Sequence, residues 1–256
     1  MNNFTAHRRT VFALFMILFF AGLFGCAIGV PFSIAVLDDP AAGGPIDPHT
    51  VWLRALGEAL FLLAPASVAG ILLGRKEGLG APILTGLITR APGAAKQIRE
   101  SLAPSIAVGI VIAVPGLITM FTLPKDAFGP GMTNPTPFEW LLRSLSAALT
   151  EEIFFRFGLM TLFVWIIRSI VKKIAIEKPS LWIGNFLAAL IFAGAHLPNI
   201  LSSGQLDWNI VILVIVFNSL AGLIMGWLFI RYGLISAILA HFVADFVQHV
   251  IPRILS

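Results

Sequence analysis

Seven stretches of about 20 apolar residues run through this chain, at roughly 10–37, 51–74, 105–123, 138–167, 181–201, 209–230 and 233–251. Lipid offers no partner for an unpaired backbone amide, so segments of this length must satisfy their hydrogen bonds internally, as helices. The expected fold is therefore all-α: a polytopic integral membrane helical bundle of about seven transmembrane helices. Composition agrees. The 256 residues are 58% hydrophobic and 12% charged, with mean hydropathy +0.93, against roughly half apolar and a quarter charged in soluble domains. No soluble domain, internal repeat or low-complexity segment interrupts the pattern.

The charges outside the spans sort by side. One side collects Arg8, Arg9, Arg75, Lys76, Arg90, Lys96, Arg99, Arg168, Lys172, Lys173, Lys178 and Arg231; the other has Lys125 and Arg253 among Asp38, Asp39, Asp47, Asp126 and Asp207. A basic balance of this kind orients a protein in the bilayer, so nucleic acid is not expected as a partner. The rule predicts a cytoplasmic N-terminus and, with seven spans, a C-terminus outside; the loop composition suits a bacterial inner (cytoplasmic) membrane. Residues 75–104 read either as an interfacial segment on an anionic leaflet or as an ordinary cytoplasmic loop. Residues 124–137 read as a turn-rich outer connection. The N-terminal "HRRTVFALFMILFFAGLFGC" has the basic start of a secretion signal. Phe24 is bulky where cleavage sites prefer small residues, however, and apolar sequence continues to Leu37, so an uncleaved first helix is expected. The single Cys26 excludes an internal disulfide.

Against this background six ionisable residues stand out: Glu151, Glu152, Arg156, His196, His241 and Asp245. A charge near the bilayer centre costs about 2.5–3.5 kcal/mol on insertion scales, so each marks a function by default. Glu58 sits closer to a helix end, from which it can snorkel. In "EEIFFR", Glu152 and Arg156 are four residues apart and share a helix face within ion-pairing reach. Glu151 is turned by about 100° and cannot easily share that arginine. It is the carboxylate expected to be left over, and so the candidate general base. "FAGAH" carries His196. "HFVAD" places His241 and Asp245 on one face. Convergence of these helices on one polar cavity is expected.

The order EExxxR (151–156), FxxxH (192–196) and HxxxN/D (241–245) resembles that of the CPBP intramembrane proteases, which include CAAX prenyl endopeptidases and bacteriocin-processing or immunity-related relatives. Asn218 in "FNSLAGLIMG" is a less specific likeness. The resemblance covers about residues 138–250. It implies an N-terminal part, 1–137, of transmembrane helices and a cytoplasmic interfacial loop, and a catalytic helical core, 138–256, with the active site in the C-terminal four helices. It further implies that Glu151 and His196 activate a water for peptide hydrolysis. His241 and Asp245 then stabilise the oxyanion, while Glu152 and Arg156 support the cavity. The departure is Asp245, where the prenyl proteases carry asparagine. Either its carboxyl keeps a proton and donates it in a hydrogen bond, or it accepts from His241 and aims that ring.

The expected partners are the lipid bilayer and a peptide or protein substrate, itself possible in or at the membrane. No cofactor is expected. Zinc held by His196, His241 and Glu151 is the alternative on ligand type alone, although no HExxH and no GxSG stretch occurs. Competing functions are a non-catalytic immunity or scaffold protein on the same fold and a proton-coupled transporter. Drawn on these spans, His196 falls near the outer end of its helix. His241 falls about 10 Å from the inner end of its own, a mismatch in depth.

Overall fold

The computed structural model describes residues 3–38, 46–122, 135–171, 176–198 and 207–255, and all regular structure among them is helical. Eight helices follow one another: α1 (Asn3–Leu37), α2 (Pro48–Glu77), α3 (Pro82–Thr89), α4 (Ala94–Thr122), α5 (Pro137–Val171), α6 (Glu177–Gly194), α7 (Trp208–Tyr232) and α8 (Leu234–Leu255). Six of them are long and apolar enough to cross a membrane. The fifth expected span, 181–201, is not among the six: α6 stops at Gly194, and residues 199–206 lie outside the described residues. Residues 75–104 are not one surface segment. They hold the short α3 and the first turns of α4, which begins at Ala94 rather than near 105. Residues 124–134 of the expected outer connection, with Lys125 and Asp126, lie outside the described residues, as do Asp39, Lys172 and Lys173.

The helix starts are chemically marked. Asp47 caps α2, accepting from the His49 amide at 3.1 Å, with Pro48 at the first helical position. Asp207 caps α7 through the Asn209 amide at 2.8 Å. Thr136 and Glu139 form a capping box on α5, with Pro137 between them. The break between α7 and α8 falls at Gly233, whose φ of 87° and ψ of −177° are open essentially to glycine alone. There the Leu234 amide donates to the Gly80 carbonyl at 3.1 Å, locking the break onto the segment ahead of α3.

Packing puts α5 at the centre. The first half of α5 lies along α1, α2 packs on its middle, α4 lies along α8, and α6 lies along α7. Small residues allow these approaches: a methyl group added at Gly29 of α1 would stand 2.5 Å from the Ser146 hydroxyl. Such small-residue contacts replace the hydrophobic driving force that lipid removes. Ile153, Phe157, Met160 and Val164 of α5 meet Leu18, Leu63 and Phe229 in the main core. Outward, Phe12, Leu53, Phe61, Ile110 and Phe121 are exposed, a surface suited to acyl chains and not to water.

One polar clamp ties the ends together. Arg168 reaches Glu77 Oε2 at 2.8 Å and the Glu77 carbonyl at 3.2 Å, and donates to the Ser180 hydroxyl at 2.7 Å and the Glu177 carbonyl at 2.6 Å. It joins the ends of α2 and α5 to the start of α6. Arg168→Ala is expected to lower stability by about 3 kcal/mol, since it strands a largely buried carboxylate and three acceptors. Thermal unfolding of the detergent-solubilised protein checks this, and a melting temperature equal to wild type would contradict the clamp.

Candidate active site

Near the middle of α5 the helix changes character. From Glu152 to Met160 it widens into π-helical turns, before regular α-helix resumes at Thr161. Such insertions are rare and cluster at functional sites. Within this stretch Arg156 Nη1 lies 3.0 Å from Glu152 Oε1, with the two side chains 2% and 0% exposed. The expected pairing across four residues is thus present. Arg156 also donates through Nη2 to the Gly222 carbonyl at 3.3 Å, and its guanidinium sits 4.4 Å from the Phe192 ring centroid. A buried guanidinium is tolerable only when partners of this kind replace its water.

The same Glu152 oxygen serves a second helix. His241 Nδ1 on α8 is 2.8 Å from Glu152 Oε1. A carboxylate only accepts, so the proton is on Nδ1. The ring's Nε2 then faces Glu151 Oε2 at 3.8 Å and Asp245 Oδ2 at 3.7 Å. Both separations exceed a direct hydrogen bond. Glu152, and not Asp245, is therefore what aims His241.

Glu151 is not the leftover carboxylate that its spacing from Arg156 predicts. Arg143, two turns earlier on α5, donates through Nη2 to Glu151 Oε1 at 2.9 Å. Eight residues advance an α-helix by about 80° beyond two turns, and two long side chains close that gap. Glu151 Oε2, by contrast, is buried and has no hydrogen-bond partner. Arg143 is the residue that a search among adjacent helical turns does not supply. A second glutamate in need of a second cation is the signal that finds it. Glu58 of α2 also lies near enough to Arg143 and Glu151 to act on both electrostatically.

His196 lies just beyond the end of α6, which stops at Gly194. Its Nδ1–H donates to the Phe192 carbonyl at 2.8 Å, so in the neutral ring Nε2 keeps its lone pair. The Phe192 ring stands 4.7 Å from the His196 ring and 6.1 Å from that of His241. One phenylalanine ring thus neighbours both histidines, which the sequence spans set apart in depth. Asp245 ends the α-helical part of α8, just ahead of a π-helical stretch at Phe246–Val250. Asn218 turns inward on its own helix, to the Val214 carbonyl at 2.9 Å; Asn185 is the amide that crosses between helices, to the Leu223 carbonyl at 2.9 Å. Among the described residues no three His, Cys, Asp or Glu side chains gather closely enough to hold an ion.

Residues 133–247 match the family described as type II CAAX prenyl endopeptidase Rce1-like. The match takes in Glu151, His196, His241 and Asp245 and leaves α1–α4 outside. No curated protein and no solved structure gives a match.

Arg156→Ala is expected to cost about 3–5 kcal/mol of stability by leaving Glu152 charged and buried without its cation. Glu151→Gln, which keeps side-chain shape and can still accept from Arg143, should cost far less. Melting both variants side by side in detergent tests the difference; equal stabilities would refute the buried pair.

Proposed function

With residues 133–247 belonging to the CAAX prenyl endopeptidase family of CPBP proteases, we propose that this integral membrane protein is an intramembrane endopeptidase using a carboxylate-activated water. The observation that carries the reading is Glu151 Oε2, buried and without a hydrogen bond among the described residues, 3.8 Å from His241 Nε2. A water held against Glu151 gives up a proton to Oε2 as its oxygen bonds to the scissile carbonyl carbon. The carbonyl π electrons move onto oxygen, giving a tetrahedral oxyanion. Glu151 then passes the proton to the leaving nitrogen as the C–N bond breaks, which yields a carboxylic acid and an amine. His196, with its Nε2 lone pair, is the second group on the water.

His241 is the cation for the oxyanion. Glu152 Oε1 at 2.8 Å from Nδ1 and Glu151 Oε2 at 3.8 Å from Nε2 put two carboxylates against its ring. With Nδ1 held by Glu152, its Nε2–H points toward the reacting atoms. Asp245 need not aim this ring, so the reading gives it the donor role that asparagine fills in relatives of the prenyl type. Glu152 and Arg156 support. The substrate is a peptide or protein reached from the bilayer. A bacterial inner membrane with the N-terminus cytoplasmic is part of the same proposal. It is supported by the basic residues of the α1 start, the α2 end and the α5 end, which His7–Arg75 and Arg168–Glu77 contacts gather at one end.

Glu151→Gln is expected to reduce cleavage by about 10²–10⁴-fold, the usual worth of a general base, with the protein still folded in the membrane. Comparative proteomics of membranes expressing wild type or this variant should show uncleaved substrate accumulating with the variant; identical cleavage would overturn the assignment. Asp245→Asn supplies a permanent donor and should retain activity on whichever substrate emerges. Loss of activity in that variant would leave Asp245 an acceptor instead.

A further inference from the structure

The two adjacent glutamates each have their own arginine, and the two arginines live in different surroundings. Arg156 is 2% exposed and also donates to the Gly222 carbonyl. Arg143 is 36% exposed, and it donates to one oxygen of Glu151 at 2.9 Å. An ion pair this open contributes little to stability. Its geometry is nonetheless specific. By holding Oε1 it fixes the carboxylate plane and leaves Oε2, buried and unpartnered, turned toward His241. Among the described residues this is the hydrogen bond that restrains rotation of the carboxylate about its terminal bond.

We propose that Arg143 is a positioning residue: it locks Glu151 Oε1 so that Oε2 alone faces the water and the histidine pair. The inference rests on the reading of Glu151 as the base. Arg143 acts through Glu151 and forms no bond to the reacting atoms. Its openness follows from its place. Arg143 lies two turns before Glu151, toward the start of α5.

The test uses full-length protein in liposomes and an internally quenched peptide that the wild type cleaves. Arg143→Ala should lower kcat by roughly 100-fold, the scale of a misplaced catalytic group, with KM and melting temperature close to wild type. Arg143→Lys should recover part of the rate. Added guanidinium ion should restore part of the Arg143→Ala rate and none of the Glu151→Gln rate. An Arg143→Ala variant with wild-type kcat overturns the inference, and so does a loss that neither lysine nor guanidinium relieves. If Glu151→Gln itself turns over normally, the base assignment fails along with it, an outcome separable from the other two.

Discussion

One carboxylate oxygen holds the candidate site together. Glu152 Oε1 accepts from His241 Nδ1 at 2.8 Å and lies 3.0 Å from Arg156 Nη1. In a low-dielectric interior a single buried carboxylate is prohibitive alone, and so is a guanidinium. Joined, they form a fixed dipole whose negative end sets the tautomer and rotation of an imidazole on another helix. A carboxylate behind a histidine does comparable service in hydrolases of unrelated fold, holding the ring in its working tautomer. Here the carboxylate is in turn held by a cation on its own helix, whose far nitrogen reaches the Gly222 carbonyl of α7. Three helices are pinned through one side chain.

The rest of the molecule follows from placing that group inside a membrane. The wide turns at Glu152–Met160 carry both Glu152 and Arg156, and Ile153, Phe157 and Met160 from the same stretch fill the main core. Charges and core therefore share one segment and cannot be moved separately. Phe192 supplies the apolar link. Its ring takes the Arg156 guanidinium on one side and approaches both histidines, and its carbonyl fixes the tautomer of His196. Glycines and a serine elsewhere let α1 and α5 approach closely.

Much of this is legible in the residues. Long apolar runs dictate helices, and the spacing of Glu152 and Arg156 dictates their pairing. The fifth apolar run, 181–201, passes straight through Gly194, where α6 ends, and hydropathy alone does not mark that stop. Proximity along one helix is readable; proximity between helices is not. Nothing in "HFVAD" says that His241 turns to Glu152 instead of Asp245, since the i+4 pair and the distant pair look alike until helices are placed. Arg143 was hidden for a related reason. Two turns of separation lie beyond the usual neighbours, and only the need of Glu151 for a cation points to it. Widened turns have no composition signal, so the altered phase of α5 and α8 is likewise invisible beforehand.

The central claim is that Glu152 fixes the protonation and direction of His241. Nitrogen-15 solid-state NMR of histidine-labelled protein in lipid, with His241 assigned by its substitution, reads that directly. The account predicts a protonated, hydrogen-bonded Nδ1 in the wild type that loses this signature in Glu152→Ala. A bare Nδ1 in the wild type, or a His241 spectrum indifferent to Glu152, would contradict it.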